Sequence, residues 1–511
     1  MSDTSGILWR AAQGAGWVFA WRMVSRVLGL LSVLVLIRLL APADFGIVAL
    51  AFALSATIEA LATLGVEAQL IRTRDPSPDL YHTAFTLNAI RGLCLAIVAV
   101  ALADSLAEFF GDPRLAEVMY AIAVLLVIGG VCSIGVVDFM RNLDFRKEFR
   151  LLLVPRLLQA AAGVACALAW RNHWALLAGL LVGRLATLFM GYAMHPYRPR
   201  LTLVAWRSLI GVSFWMWAFS IATVARDRIE SFAIGRMLGP APLGIYTTSM
   251  EIAALPVTEI VHPISRASTM GFAASLREEL DPAEAFLRVF GITFLLALPA
   301  SIGMSLVAGP VVALAFGPRW HEAAPVIAVL SPALAFVALA MVSTALLTAM
   351  LRIRLLFAMT ALGACIKGTA VLLAAANFGL WGTATALALA IAVEQGMLAA
   401  VTLRVAKVPL RSVLATLWRP IVATAIMAGV LWHAGIGWDP VLPQFLQASL
   451  MLLLAIGLGA ALFMSSLLAL WVLVGRPRGA ESDLLVMVQQ VFRTFAGREP
   501  GPAPAALRHT T

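Results

Sequence analysis

Charged residues are scarce in this sequence, and their scarcity excludes an ordinary water-soluble protein. Asp, Glu, Lys and Arg make up only 13% of the 511 residues, whereas 61% are hydrophobic and the mean hydropathy is +0.93. A soluble domain carries roughly 25% charged residues. The apolar residues form continuous runs of about 20, the length that a helix needs to cross the hydrocarbon of a bilayer. The sequence therefore predicts an all-α, polytopic membrane protein.

The sequence also has few of the features that build disulfide frameworks, metal sites and nucleotide sites. Its four cysteines (Cys94, Cys132, Cys166 and Cys365) lie in separate apolar stretches without paired spacing, which favours a packing role. It contains no glycine-rich loop ending in Lys, no metal-spaced His and Cys set and no nucleophile elbow. We therefore predict no cofactor, no metal and no catalytic residue, and an ATP-driven pump would need a partner to supply the ATPase.

Fourteen apolar segments are predicted to span the membrane, and the basic residues between them set the orientation. The connections on the amino-terminal side carry eighteen Lys and Arg residues, whereas those on the other side carry only Arg38, Arg114, Arg171, Arg236 and Arg319. This bias predicts that both termini are cytoplasmic and also explains the net charge of +10. The predicted spans are residues 17–40, 46–66, 80–103, 115–138, 151–170, 174–194, 208–235, 244–264, 286–309, 325–350, 355–376, 381–403, 418–436 and 445–474.

One connection between spans occurs twice. Residues 38–47 read RLLAPADFGI and residues 236–245 read RMLGPAPLGI, an offset of 236 − 38 = 198 residues. Pro and Gly suit a tight connection between two helices, because Pro cannot continue a helix and Gly accepts turn dihedrals. A chance recurrence of a common helix-turn pattern is the alternative. A true repeat predicts two halves of similar build in one polypeptide.

Six spans separate the two copies, so the halves have the same orientation and are predicted to be parallel repeats around a central cavity. The predicted domains are a first six-helix bundle (1–207), a second six-helix bundle (208–411), two additional transmembrane helices (412–474) and a cytoplasmic tail (475–511).

Several predicted spans contain ionisable residues, which cost roughly 2.5–3.5 kcal/mol near the bilayer centre and therefore need a partner or a wet cavity. Internal salt bridges, such as Glu59 with Arg26, are one explanation, and the cluster at residues 226–230 (RDRIE) can neutralise itself. Several basic residues at different depths also suit an anionic substrate. The candidate anion-binding residues are Arg22, Arg26, Arg91, Arg184, Arg228 and Lys367, and the candidate ion-coupling residues are Glu59, Asp227, Glu251 and Glu394.

Four segments carry a resemblance to a known family. They are residues 38–46 (RLLAPADFG), 140–146 (MRNLDFR), 227–246 (DRIESFAIGRMLGPAPLGIY) and 316–320 (FGPRW). In this order they resemble the Wzx-type oligosaccharide flippases, in particular the colanic-acid exporter branch. These proteins belong to the multidrug/oligosaccharidyl-lipid/polysaccharide exporter superfamily.

The resemblance implies a bacterial inner-membrane transporter of undecaprenyl-pyrophosphate-linked oligosaccharide for exopolysaccharide, capsule or lipopolysaccharide biosynthesis. It implies membrane lipids, a polysaccharide polymerase and a chain-length regulator as partners. No nucleic-acid partner is predicted, because the topology explains the positive net charge. A multidrug antiporter and a peptidoglycan-precursor flippase of the same superfamily are the alternatives. A membrane polymerase or ligase is less favoured, because no large outward loop is present.

Overall fold

The computed structural model of the chain describes residues 24–62, 69–71, 73, 76–142, 144–209, 214–278, 282–438, 443–477 and 479–484. Within these ranges the regular elements are helices and no residue belongs to a strand. The predicted all-α class is therefore confirmed.

Several of the helices coincide with predicted spans. The predicted span 174–194 coincides with an observed helix, whereas the predicted span 244–264 falls across two helices. In chain order the helices are α1 (residues 24–39), α2 (Pro42–Leu61), α3 (Pro78–Phe110), α4 (Arg114–Gly130), α5 (Val137–Arg141), α6 (Phe145–Trp170), α7 (Trp174–Met194), α8 (Trp206–Leu209), α9 (Phe214–Met237), α10 (Pro240–Ala253), α11 (Leu255–Arg277), α12 (Pro282–Leu306), α13 (Ala308–Ala315), α14 (Ala323–Ala349), α15 (Ile353–Val405), α16 (Leu410–His433) and α17 (Phe445–Leu473).

Capping residues fix several helix ends. The Ser77 hydroxyl accepts a hydrogen bond from the Leu80 N–H at the start of α3, and Pro78 occupies the first turn. Gly111 ends α3 in the left-handed region, with φ 73°. The Asp144 carboxylate accepts from the Lys147 N–H and so begins α6. These caps satisfy backbone groups that the helices themselves cannot pair.

The number of membrane crossings depends on how the broken helices are counted. Nine helices in the described residues are long and apolar enough to cross a membrane, or ten if α4 and the short helices that follow it, bent by 62°, form one span. Helix α15 has 53 residues but breaks at Gly379, where φ is 63° and ψ is −162°. A straight helix of that length would extend about 80 Å, more than twice the roughly 30 Å hydrocarbon core. The two arms of α15 therefore suit two spans, while the count of fourteen stays a prediction.

The chain folds into two compact units. Unit 1 contains Met1–Thr248, Ala315–Ala323 and Thr360–Thr383, and unit 2 contains Ser249–Leu314, Ala324–Met359 and Ala384–Thr511. In unit 1, helices α6 and α7 pack closely, and α3 packs on α4. In unit 2, α12 packs against α11, α16 and α17.

The two copies of the repeat contact each other inside unit 1, at the start of α2 and the start of α10. A Cβ atom built on Gly46 would lie 1.7 Å from the Pro240 carbonyl oxygen, and one built on Gly244 would lie 1.8 Å from the Pro42 carbonyl oxygen. The contact is thus reciprocal: the glycine of each copy packs against the proline carbonyl oxygen of the other copy. Neither position can hold a larger residue in this packing, which explains why glycine recurs in both copies.

Unit 2 has an aromatic core and a buried ion pair near the end of the described chain. Phe272, Phe286 and Phe290 are almost completely buried and stack on one another. Arg419 of α16 lies 3.1 Å from the carboxylate of Glu481, and both side chains are 5% exposed. The segment that follows α17 is therefore held against the unit by a charge pair. The part of the predicted cytoplasmic tail beyond residue 484 lies outside the described residues.

Candidate functional site

Lys367 lies at the centre of a buried polar cluster in unit 1. Its ammonium nitrogen is 2.7 Å from Glu230 Oε2, and the two side chains are 7% and 8% exposed. The same nitrogen donates a hydrogen bond to the Arg226 carbonyl oxygen at 3.2 Å. Tyr246, itself buried, donates its hydroxyl to Glu230 Oε1 at 3.3 Å. Lys367 and Glu230 thus neutralise each other inside the unit.

Close packing between α9 and the first arm of α15 explains this geometry. A Cβ atom on Gly368 would lie 2.5 Å from Cδ1 of Ile229, so the absence of a side chain at Gly368 lets the two helices approach. This approach brings the neighbouring Lys367 within reach of Glu230, one residue after Ile229. The α10 helix then supplies Tyr246.

The charged cluster at residues 226–230 is only partly paired with itself. Arg226 forms an ion pair with Asp227 at 2.8 Å, in agreement with the expected internal neutralisation. Glu230 pairs instead with Lys367, 137 residues further along the chain (367 − 230). The self-pairing interpretation therefore holds for Arg226 and Asp227 but does not describe Glu230.

Three of the candidate arginines have no carboxylate partner among the described residues: Arg91, Arg184 and Arg228. They belong to α3, α7 and α9, and each lies near the middle of its helix. Arg91 and Arg228 are half-buried and Arg184 is exposed. An unpaired guanidinium on a membrane helix needs water or an external anion beside it.

Glycine contacts locate some of the guanidinium groups. Arg184 Nη1 lies 4.0 Å from a Cβ atom built on Gly129 in α4. The next residue, Gly130, is in backbone contact with Gly92 of α3, which directly follows Arg91. Helices α3, α4 and α7 therefore bring the backbone at Arg91 and the Arg184 guanidinium to the same part of unit 1.

The remaining basic residues are placed differently. Arg26 lies on α1 and interacts with other residues of the chain. Arg22 lies outside the described residues. Arg156, a further intramembrane arginine of the sequence, has its Nη2 atom 3.1 Å from a Cβ built on Gly29, so its side chain reaches α1. All the described basic candidates belong to unit 1.

The acidic candidates are scattered. Glu59 is half-buried and accepts a hydrogen bond from the Ser55 hydroxyl at 3.0 Å, while the Asp227 side chain is 49% exposed. Glu251 and Glu394 belong to unit 2, where Glu251 is exposed and Glu394 is buried. The described residues contain no group of three or more metal-ligating side chains that could hold a metal ion.

Sequence reasoning missed the partnership of Glu230 with Lys367 and Tyr246. The spacing of Glu230 four residues after Arg226 pointed to a pair along one helix. Nothing in the local pattern connects residue 230 with residue 367. The contact depends on the packing of α9 against α15, and only the acidic character of Glu230 inside an apolar span signalled that it needed a partner.

In chemical terms, unit 1 holds the buried ion pair of Lys367 with Glu230 and the three candidate guanidinium groups, on α3, α7 and α9, that have no carboxylate partner in the described residues. Guanidinium groups bind phosphate oxygens through charge-assisted, bidentate hydrogen bonds. The arrangement can therefore bind an anion.

Comparison with known proteins places the chain in a family. A profile of the family described as polysaccharide biosynthesis protein matches residues 35–325. The succinoglycan biosynthesis transport protein ExoT of Rhizobium meliloti (strain 1021) is 26% identical over 61% of this chain and 64% of its own length. The lipopolysaccharide biosynthesis protein WzxC of Escherichia coli (strain K12) is 23% identical over 63% of this chain and 66% of its own length. The matches therefore span somewhat less than two thirds of these relatives.

Solved structures share the fold. The lipid II flippase MurJ, in an inward closed conformation, superposes with a TM-score of 0.69 at 11% identity, covering 88% of this chain and 98% of MurJ. An inward-facing multidrug resistance MATE family transporter of the MOP superfamily superposes with a TM-score of 0.61 at 16% identity, covering 75% of this chain and 94% of its own length. These structures share the fold, and the expected resemblance to polysaccharide transport proteins is confirmed by the family profile and the relatives. Because the profile match covers more than half of the sequence, this chain belongs to the polysaccharide biosynthesis protein family.

Proposed function

We propose that this chain is a flippase that moves an undecaprenyl-pyrophosphate-linked oligosaccharide across the bacterial cytoplasmic membrane. The chain is a multi-pass membrane protein of a polysaccharide biosynthesis family. The names of its relatives favour a role in exopolysaccharide, capsule or lipopolysaccharide assembly. A membrane polymerase or ligase is disfavoured, since the relatives and the structural neighbours are transporters.

The observation that carries the proposal is that three of the candidate arginines, Arg91, Arg184 and Arg228, lie near the middle of their helices without a carboxylate partner in the described residues. A pyrophosphate headgroup crosses bare hydrocarbon only at a large desolvation cost. Guanidinium groups at mid-span replace the water around its oxygens, while the lipid tail remains among acyl chains. In this proposal Arg91, Arg184 and Arg228 contact the pyrophosphate, and Arg22, Arg26 and Lys367 are secondary candidates. The ammonium group of Lys367 already pairs with Glu230.

The membrane potential supplies a driving force for outward movement of the headgroup, from the inner to the outer leaflet. An inside-negative potential favours outward movement of an anion by roughly 2.3 kcal/mol per charge per 100 mV. Two charges crossing the whole field would gain about 4–5 kcal/mol. Coupling to an inward proton would use an acidic residue, and Glu394 is our first choice among Glu59, Asp227, Glu251 and Glu394 because it is buried.

The test uses the full chain in proteoliposomes with a fluorescent undecaprenyl-pyrophosphate oligosaccharide, and scores how much of it becomes accessible to a glycosidase added outside. Hydrogen bonds to charged groups contribute about 1.5–3 kcal/mol. Arg91→Gln, Arg184→Gln and Arg228→Gln should therefore each slow flipping about ten-fold or more. Arg277→Gln is the matched control, because it removes the same charge from an exposed arginine at the end of α11 that is not among the proposed contacts.

Wild-type rates in a variant that combines all three substitutions would refute the assigned contacts. A wild-type protein that flips lipid II but not the oligosaccharide would instead favour a peptidoglycan-precursor flippase. Export of cationic drugs without lipid flipping would favour a multidrug antiporter.

A further inference from the structure

The connection between α7 and α9, here called the 195–209 linker, presents an unusual surface. It leaves α7 in extended conformation at His195 and ends in the single turn of α8. Its sequence, HPYRPRLTLVAWRSL, contains Arg198, Arg200 and Arg207 and has no Asp or Glu. The linker is therefore purely basic, although it lies between apolar helices.

Side chains of α3 hold the linker backbone in place. The N–H groups of Arg200, Thr202 and Ala205 donate to His82 Nδ1 (3.2 Å), Thr86 Oγ1 (3.0 Å) and Thr83 Oγ1 (3.2 Å), respectively. These three acceptors lie on one face of α3. The extended stretch is consequently tied to a helix along its length.

Both ends of the linker are also anchored. The Tyr197 hydroxyl donates to the Tyr81 carbonyl oxygen at 3.1 Å, and His195 Nε2 lies 3.3 Å from Asp138 Oδ2. At the other end, Leu209 is 2% exposed and packs in a cluster with Leu80, Phe85 and Val137. The conformation of the linker is thus set by unit 1 itself.

Anchoring of the backbone leaves four apolar side chains facing outward. Leu201 is 78% exposed, Leu203 45%, Val204 79% and Trp206 45%. Exposure of this kind in a fixed segment, rather than in a loose loop, indicates a surface that another phase or molecule covers.

The three arginines border this apolar surface. Arg198, Arg200 and Arg207 are exposed, and none forms an ion pair with a carboxylate of the described residues. The Arg207 guanidinium lies 5.5 Å from the centre of the Trp206 ring, and Arg198 lies 5.9 Å from that of Tyr192. Arginine and tryptophan around exposed Leu and Val are typical of segments that lie at the boundary between headgroups and acyl chains.

The length of α7 places the linker at that boundary. This helix has 21 residues, about 31 Å at 1.5 Å per residue, which matches the roughly 30 Å hydrocarbon core. A chain that leaves the end of α7 therefore enters the headgroup region directly. The side chains of residues 201–206 can therefore contact lipid without a change in the conformation of the linker.

We propose that the 195–209 linker is a binding surface for anionic phospholipid, in which Leu201, Leu203, Val204 and Trp206 enter the interface and Arg198, Arg200 and Arg207 contact lipid phosphates. Each basic residue near an anionic bilayer strengthens the interaction roughly five-fold. The three arginines together raise the affinity for an anionic over a zwitterionic surface by about a hundred-fold. This role is independent of the transported substrate.

The experiment places an environment-sensitive fluorophore on Val204→Cys in a full-length chain whose four native cysteines are alanine. The protein is reconstituted in vesicles of phosphatidylcholine alone or with 30% phosphatidylglycerol, with and without nitroxide-labelled lipid. We expect a blue shift and nitroxide quenching that phosphatidylglycerol strengthens. The combined variant R198Q/R200Q/R207Q should remove the effect of phosphatidylglycerol.

The control variant R404Q/K407Q/R411Q removes the same charge from another exposed connection and should leave the response at residue 204 unchanged. If the cysteine-free chain does not fold, hydrogen exchange of the 195–209 peptide in the native protein, in the same vesicles, replaces the fluorophore. A label that stays in water in both lipids overturns the proposal. Insertion that is equal in both lipids, or that survives loss of the three arginines, overturns the anionic specificity.

Discussion

Breaking the ion pair between Glu230 and Lys367 should destabilise unit 1 far more than removing both charges. Each side chain is less than a tenth exposed, and the charged atoms are 2.7 Å apart. Removing one partner leaves the other charge buried without compensation, which costs about 3–5 kcal/mol. We therefore expect both Glu230→Gln and Lys367→Met to lower stability by that amount.

The double variant E230Q/K367M should recover most of the loss. Replacement of a buried ion pair by uncharged side chains of similar volume is often neutral or stabilising. Gln at position 230 still offers an oxygen to the Tyr246 hydroxyl, which now donates to Glu230 at 3.3 Å. The double variant should thus lie within about 1 kcal/mol of the wild type, and the double-mutant cycle should yield a coupling energy of several kcal/mol.

The assay is thermal unfolding of the four purified proteins in one detergent, followed by the loss of monodisperse protein in size-exclusion chromatography. Both single variants should lose their folded form several degrees below the wild type and the double variant. Single variants as stable as the wild type, or a double variant whose loss equals the sum of the two, would refute the argument that the pair is buried and mutually compensating.

The same proteins separate a structural from a transport role of Lys367. A stable double variant that still exports polysaccharide assigns the pair to the fold. A stable double variant without export keeps Lys367 among the anion contacts.

Two further predictions concern the packing and the linker of unit 1. Gly46→Ala would place a methyl group 1.7 Å from the Pro240 carbonyl oxygen, so overpacking should lower the free energy of unfolding by about 3 kcal/mol or more. Gly303→Ala is the control: its new Cβ meets nothing within 4 Å, so it should be neutral or slightly stabilising in the same thermal assay. Equal stability of the two variants would contradict the close contact at Gly46. Burial raises the pKa of the Tyr197 phenol to about 12. The stability that the neutral phenol contributes is therefore complete below pH 10 and is lost as the pH rises from 10 towards 12. In an alkaline absorbance titration, the component that Tyr197→Phe removes should have its midpoint near 12, and a midpoint near 10 would show that the phenol is solvated.

Local patterns of the sequence were sufficient for the class of fold and for much of the helix layout. Continuous apolar runs identified a multi-pass helical membrane protein, because a segment in hydrocarbon must pair its backbone N–H and C=O groups internally and a helix does so. The predicted span at residues 174–194 matches α7 at both ends, since charged and aromatic residues border the apolar run there. The repeated Pro and Gly positions also predicted two helix junctions, and the structure has helices that begin at Pro42 and at Pro240.

Tertiary structure alone decided which of these residues meet. The sequence marked Lys367 as a buried cation and Glu230 as part of a charged cluster, but only the packing of α9 against α15 joins them. It also marked Gly46 and Gly244 as turn residues, whereas the structure shows that each is small because a proline carbonyl of the other copy occupies the space of its Cβ. Hydropathy and turn preference act over a few neighbouring residues, while a contact between distant segments depends on the shapes of both packed surfaces, which no local pattern records.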